Sequence, residues 1–260
     1  MSLWIKICAN TSLADAQLAA EAGADAVGFV FAPSPRRVTP EEVAEIVPHL
    51  PAALEKIGVF VDAAFEEIAA TVKTAGLTGV QLHFDAPPAL PAQLRERFGP
   101  ALRILGVVHF DVRQTAGGTS FVSGHDLGGR GKTRSGHQNV KGHNFSRAED
   151  AERNDGALAP EGRFSDSNID AILVDSRTAT AVGGTGQAYD WGAARQSIFG
   201  ADGQVKLIAA GGLTPEIVAE AIATLRPWGV DVVSGVEALP GRKDAAKVRA
   251  FIDRARAAQA

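Results

Sequence analysis

The sequence predicts a (β/α)8 barrel of the α/β class, in a single domain spanning residues 1–260. Three observations carry this: eight short apolar runs rich in β-branched residues, Ala-rich stretches of helical spacing between them, and an apolar fraction of 45% against 22% charged residues, enough for a large core. In chain order, a strand at Leu3–Cys8 precedes a helix over Ser12–Ala22, and a strand at Ala26–Phe31 precedes one over Pro40–Val47. A strand at Lys56–Val61 leads to a helix over Phe65–Ala75, and one at Gly79–His83 to a helix over Leu90–Phe98. The fifth strand, Leu102–Val108, lacks a clear helix after it. Ala171–Asp175 is followed by Trp191–Ile198, Val205–Ala210 by Pro215–Leu225, and Val230–Ser234 by Asp244–Gln259. Each strand is too continuously apolar to leave one face in water, as antiparallel strands commonly do. Ala, Glu and Leu recur every three or four residues in the helices, and Thr39-Pro40-Glu41-Glu42 and Thr214-Pro215-Glu216 supply capping and first-turn residues. A doubly wound dinucleotide fold would need glycines after the first strand, where the chain reads Cys8-Ala9-Asn10-Thr11.

Between about residues 111 and 168 the apolar periodicity disappears. Glycines accumulate, and eight basic and eight acidic residues fall between Asp111 and Asp166. Apart from the capping box Ser146-Arg147-Ala148-Glu149, the span reads as a polar insertion after the fifth strand, with Thr115–Glu161 an irregular surface excursion. Two motifs inside it mislead. Gly128-Gly129-Arg130-Gly131-Lys132-Thr133 imitates a phosphate-binding loop, but the motif's first glycine falls on Asp126 and no buried strand leads into it. His109, His125, His137 and His143 match no familiar zinc spacing, and no cysteine lies nearby, so no metal site is expected. Arg130, Lys132, Arg134 and Lys141 read as a solvated charged loop.

Composition excludes several classes of function. A net charge of −4 gives no footprint for nucleic acid, and 6% aromatic residues are too few for a stacking cleft. No apolar stretch approaches the length of a membrane span, and Met1-Ser2-Leu3-Trp4-Ile5-Lys6 does not open a secretory signal. A single cysteine forms no intrachain disulfide, and a reducing cytoplasm is the expected compartment.

On a barrel, chemistry gathers at the C-terminal ends of the strands. The polar residues there are Cys8 after the first strand, Ser34-Pro35-Arg36-Arg37 after the second, Asp62 after the third, Gln81 and His83 on the fourth, and Asp175 on the sixth. Packing and chemistry both account for a lone thiol such as Cys8. The last two strands end in Ala210-Gly211-Gly212-Leu213 and Ser234-Gly235-Val236-Glu237, turns in which bare backbone amides can hold a phosphate. The candidate phosphate ligands are therefore Gly211, Gly212, Ser234 and Gly235, and the implied partner is a small phosphorylated metabolite.

These residues in this order resemble the phosphoribosylanthranilate isomerases of tryptophan biosynthesis, ribulose-phosphate-binding barrels. The resemblance rests on Lys6-Ile7-Cys8, on Ala22-Gly23-Ala24-Asp25-Ala26-Val27-Gly28-Phe29-Val30-Phe31 with Ser34-Pro35-Arg36, and on Gly58-Val59-Phe60-Val61 and Val80-Gln81-Leu82-His83. It continues through Leu173-Val174-Asp175, Gly183-Gly184-Thr185-Gly186, Asp190-Trp191 and Asp231-Val232-Val233-Ser234-Gly235-Val236-Glu237. It implies an Amadori rearrangement of N-(5-phosphoribosyl)anthranilate to 1-(2-carboxyphenylamino)-1-deoxyribulose 5-phosphate, without metal or organic cofactor. It also implies Asp175 as general acid, Cys8 as general base and Arg36 on the anthranilate carboxylate. Gln81, His83 and Asp231 would line the pocket, and Gly184 would lie in a loop folding over the substrate. For such a pair, pKa values displaced toward neutrality are expected, upward for the carboxyl and downward for the thiol.

The chain departs from the family pattern at Ala9-Asn10, where Gly-Ile or Gly-Leu is usual, and at Phe84, where glycine is usual. A methyl group at Ala9 implies a backbone free of positive φ there, unless it is strained. Other phosphosugar barrels, such as indole-3-glycerol phosphate synthases and histidine-pathway isomerases, would carry lysine or aspartate at Cys8. A barrel that only binds a phosphometabolite would need no Cys8 and Asp175 pair.

Overall fold

The computed structural model describes residues 2–83, 87–110, 168–176, 195 and 205–259. Eight parallel strands close into a barrel in sequence order: β1 (Trp4–Ile7), β2 (Ala26–Val30), β3 (Glu55–Phe60), β4 (Gly79–His83), β5 (Arg103–Phe110), β6 (Ala171–Ser176), β7 (Lys206–Ala210) and β8 (Gly229–Val232). β8 pairs back onto β1, with Lys6 opposite Asp231. Alternation along the strands sorts the side chains into two cores. Ile5, Ile7, Val27, Phe29, Val80, Leu82, Ile104 and Val230 face outward into a core shared with the helices. Trp4, Ala26, Ile57, Leu105, Val107, Ala171, Leu173 and Ile208 fill the interior. At the N-terminal end Trp4 stacks on Trp228 at 5.3 Å, and Lys206 lies 4.8 Å from the Trp228 ring, closing that mouth.

The helices follow the caps written in the sequence. α1 (Leu13–Glu21) starts at Ser12, whose hydroxyl accepts from Asp15 N. α2 (Pro40–Ile46) carries the full Thr39/Glu42 capping box with Pro40 in its first turn. α3 (Phe65–Ala75) stops at Gly76, φ +63°, and α4 (Leu90–Phe98) matches its expected span. α5 (Val218–Leu225) begins three residues later than expected. Thr214 instead opens a tight turn, accepting from Ile217 N at 3.3 Å and Val218 N at 3.1 Å. α6 (Ala245–Ala257) is capped by Asp244, which accepts from Ala246 N and Lys247 N. Apart from Arg195, the helix expected over Trp191–Ile198 lies outside the described residues, as do residues 111–167 with the phosphate-loop-like run and His125, His137 and His143; His109 falls in β5.

One feature was not foreseen. After β8 the chain makes a 3-10 turn, Ser234–Val236, and then a small antiparallel hairpin, β9 (Glu237–Leu239) and β10 (Arg242–Lys243). It turns at Gly241, φ +80°, whose carbonyl accepts from the Thr11 hydroxyl at 2.6 Å. The hairpin is thus tied to the loop after β1, at the functional end of the barrel.

Candidate active site

A cavity of about 290 Å³ opens at the C-terminal end of the barrel. Cys8, Arg36, Gln81, His83, Asp175 and Asp231 line it, together with Gly211, Gly212, Ser234 and Gly235. Every described residue named for catalysis, substrate or phosphate therefore reaches one pocket, whereas Asp62 and Arg37 do not line it; Gly184 lies outside the described residues. Because inward positions recur every second residue, β4 contributes both Gln81 and His83, and Lys6 below Cys8 also points inward.

Cys8 is buried and sits against the inner edge of β2. A methyl group at Gly28 would meet its Sγ at 2.5 Å and Lys6 Cε at 3.0 Å, so glycine there is what gives the thiol and the lysine their space. The Cys8 backbone is fixed by its N–H donating to Val232 O at 2.9 Å. The next residue, Ala9, has φ +60°, so the strained alternative holds: a buried alanine occupies the left-handed region that glycine takes without cost. Asn10 secures the strained turn. Its backbone N–H donates to Gly28 O at 2.9 Å, and its side-chain amide to Ile7 O at 2.8 Å.

Charges gather under the thiol. Lys6 is fully buried, donates to Gln81 Oε1 at 2.5 Å and pairs with Asp231 at 2.9 Å. That second contact is an ion pair whose angle leaves the same Asp231 oxygen without an aligned hydrogen bond. Burial pulls the Lys6 pKa down, but Asp231 and then Cys8 outweigh it, and the ammonium is retained. For Cys8 the expected downward displacement is not found. Burial pushes the thiol up, Lys6 opposes, Asp231 adds to the rise and Lys243 opposes again, with a net upward shift. A higher pKa makes the thiolate a stronger but scarcer base, and the two lysines set that balance.

Arg36 is placed by a folded-back loop, in which its N–H donates to Ser34 Oγ and Val38 N to Val30 O. Its Nε and one Nη donate to the two oxygens of Glu237 at 2.8 and 2.6 Å. A guanidinium has five N–H donors in a planar fork, so this side-on pairing leaves three, two of them on the end-on edge where a second planar anion fits. The neighbouring Arg37 is exposed, in keeping with a solvated charge.

The two glycine turns form one surface. Gly211 and Gly212 both have positive φ, +84° and +65°. At Gly235 an added methyl would lie 1.9 Å from Leu213 O, so only glycine lets the β8 turn pack against the β7 turn. Among the described residues, no cluster of three or more His, Cys, Asp or Glu could hold a metal ion, and no helix is long and apolar enough to cross a membrane.

Sequence reasoning missed roles for Lys6, Glu237 and Lys243. The available signal was a cation inside an otherwise continuous apolar strand, Leu3-Trp4-Ile5-Lys6-Ile7-Cys8, which has to be paired if buried.

The family model for N-(5′-phosphoribosyl)anthranilate (PRA) isomerase matches residues 5–120 and 145–254. The stretch outside the match, 121–144, is narrower than the 111–168 insertion. Among relatives, the N-(5′-phosphoribosyl)anthranilate isomerase of Pelobacter propionicus is 36% identical over 249 residues, covering 95% of this chain and 93% of the relative. That of Geobacter sulfurreducens is 37% identical over 254 residues, covering 97% and 98%. Among solved structures, the phosphoribosyl anthranilate isomerase of Thermotoga maritima superposes with a TM-score of 0.68 at 30% identity, over 98% of this chain and 99% of that one. A phosphoribosyl anthranilate isomerase in complex with reduced 1-(o-carboxyphenylamino)-1-deoxyribulose 5-phosphate superposes at 0.67 and 29% identity, over 98% and 99%.

Proposed function

This chain belongs to the N-(5′-phosphoribosyl)anthranilate isomerase family, and we propose that Cys8 and Asp175 carry the family's proton transfers in it. It is an isomerase of tryptophan biosynthesis, converting N-(5-phosphoribosyl)anthranilate to 1-(2-carboxyphenylamino)-1-deoxyribulose 5-phosphate. The observation that carries the residue assignment is that Cys8 and Asp175 face one cavity from β1 and β6. Around the ring, only β7 and β8 separate them on the shorter side. A substrate between them is addressed from two directions.

In this reading the phosphate rests on the backbone amides of Gly211, Gly212, Ser234 and Gly235. The anthranilate carboxylate takes the end-on edge of Arg36, whose other edge Glu237 already holds. Asp175 gives its proton to the furanose ring oxygen as the anthranilate nitrogen lone pair forms the C1–N double bond and the C1–O bond breaks. The Cys8 thiolate then removes the proton from C2 of the Schiff base. The C2–H electron pair forms the C1–C2 double bond of an enolamine as the C1–N π pair returns to nitrogen, and the enol then loses its O–H proton and gains one at C1 to give the ketone. Nothing is oxidised or reduced overall, so the chemistry calls for no redox cofactor. Lys6 keeps positive charge beside the thiolate, and Gln81 and Asp231 hold Lys6 in place. His83 lines the same pocket.

The test is turnover of N-(5-phosphoribosyl)anthranilate by the purified protein, followed by loss of anthranilate-type fluorescence. Steady turnover supports the reading; a folded protein that binds a phosphosugar without converting this substrate overturns it.

A further inference from the structure

The hairpin β9–β10 carries a buried cation that no proton-transfer step uses. The Lys243 side chain has no exposed surface, and its ammonium points back into the barrel mouth. It donates to Cys8 O at 2.6 Å and to Val233 O at 3.3 Å, and it lies 3.5 Å from Glu237 Oε1. Two carbonyls thus accept hydrogen bonds from the ammonium, and one carboxylate lies within ion-pair reach. Each partner belongs to a different part of the site. Cys8 O is the carbonyl of the residue bearing the thiol, immediately before the strained Ala9. Val233 O adjoins the Ser234-Gly235 turn. Glu237 grips Arg36 with both oxygens and also accepts from Gly241 N at 3.1 Å. From outside, Asp15 accepts from Lys243 N at 3.4 Å, anchoring the lysine's strand to α1.

We propose that Lys243 is a positioning residue that fixes the Cys8 peptide, the β8 turn and the Glu237–Arg36 pair relative to one another. This rests on the isomerase reading of the site. A backbone in the left-handed region at a residue with a side chain persists only where its surroundings hold it. Asn10 does so on the far side of Ala9, and Lys243 on the side of Cys8. Burial works against the Lys243 ammonium, with Glu237 and Cys8 opposing, and the groups that meet it are those whose separation the substrate has to match. Glu237 extends the same tie to the arginine.

Two consequences separate positioning from mere support of the fold. First, loss of Lys243 displaces the thiol, so turnover of the folded protein falls. Second, Lys243 is one of the cations opposing the upward push of burial on the thiol, so its loss moves the Cys8 titration to higher pH. The charged groups facing Cys8 are Lys6 on its own strand, Asp231 on β8, Lys243 on β10 and Arg36 after β2. His83 and Asp175 line the same cavity from β4 and β6. The Lys243 variant retains every one of these groups except the lysine.

The experiment compares wild type, Lys243→Met, Glu237→Gln and the double variant, which removes the buried lysine without leaving a carboxylate behind. Because Cys8 is the only cysteine, its alkylation rate by iodoacetamide against pH reports one thiol whether or not the protein turns substrate over. Expected for Lys243→Met are a kcat lower by about 10- to 100-fold, as for displacement by a fraction of an ångström, and alkylation and kcat/KM profiles both shifted to higher pH. Glu237→Gln raises KM more than it lowers kcat. The double variant keeps the Lys243→Met pH shift. If Lys243→Met is less stable yet, when folded, keeps wild-type kcat and an unmoved alkylation profile, the lysine only supports the fold and the proposal fails. Should Lys243→Met not fold, the same two readouts on the double variant decide. Absence of turnover in wild type would overturn the isomerase reading and leave the alkylation comparison intact.

Discussion

Gly28→Ala probes the site from outside the cavity lining. The new methyl would stand 2.5 Å from Cys8 Sγ, whereas ordinary contact begins at 3.4 Å, so the sulfur has to give way by about 1 Å. The backbone cannot retreat with it, because Cys8 N–H is bound to Val232 O and Cys8 O to the Lys243 ammonium. Lys6 Cε, 3.0 Å from the same methyl, blocks movement toward the barrel floor. The remaining escape is rotation of the thiol off its rotamer. Overpacking of this kind costs about 1–3 kcal/mol, which in a chain of this size lowers the melting temperature by about 2–12 °C. A misplacement of about 1 Å at the reacting atom costs about 100-fold in turnover. The phosphate turns and Arg36 lie elsewhere on the rim, so KM is expected to change by no more than about threefold while kcat falls by about two orders of magnitude. Steady-state fluorescence kinetics on protein shown to be folded by circular dichroism reads both numbers. A folded Gly28→Ala protein with wild-type kcat would refute the placement of the base at Cys8, and an effect confined to KM would assign Cys8 to binding.

Three further expectations concern other parts of the molecule. Gly235→Ala forces a methyl onto Leu213 O at 1.9 Å and separates the two turns, so KM rises more than kcat falls and inorganic phosphate inhibits less; unchanged inhibition moves the phosphate elsewhere. At Glu237, burial pushes the carboxyl pKa up, but Arg36 and Lys243 prevail and it lies below the ordinary 4.5. Its stabilising contribution is therefore complete above that value and lost as pH falls through the folded pKa, so the urea-midpoint gap between wild type and Glu237→Gln should close on going from about pH 7 to about pH 3. A gap independent of pH would mean that the Arg36 pair contributes nothing through ionisation. Replacing residues 121–144, which the family model does not match, with a short Gly/Ser linker should leave kcat within a few-fold, since closure entropy changes only logarithmically with length; a collapse of kcat with the fold intact would make the stretch part of the site.

The barrel was legible because its signals are local. Continuous apolar runs at eight strands and paired caps such as Thr39/Glu42 identify elements without tertiary information, and the eight-strand alternation leaves few architectures open. The candidate site was legible in part for the same reason, because polar residues at strand ends are visible once the strands are known, while the role given to each rests on the family resemblance. What escaped depends on long-range contact. Nothing near Lys243 indicates that its ammonium reaches Cys8, 235 residues away in the chain. The bidentate hold of Glu237 on Arg36 spans 201 residues. The upward displacement of the Cys8 thiol follows from burial among neighbours on three other elements, which composition does not reveal. Ala9 is a partial case. The sequence poses the choice between unstrained and strained backbone, and only the geometry, φ +60°, answers it.

The proposed mechanism gives the proton transfers to two groups, a thiol on β1 and a carboxyl on β6. The most direct measurement is kcat and KM of Cys8→Ala and Asp175→Asn beside wild type, on N-(5-phosphoribosyl)anthranilate, with folding verified for each. A positioned acid or base typically contributes about two to four orders of magnitude. Each substitution is accordingly expected to lower kcat by about 10²- to 10⁴-fold while KM stays within a few-fold, because the phosphate turns and Arg36 remain intact. Near wild-type turnover in either folded variant would contradict the assignment of that group and shift its proton transfer to another residue of the pocket.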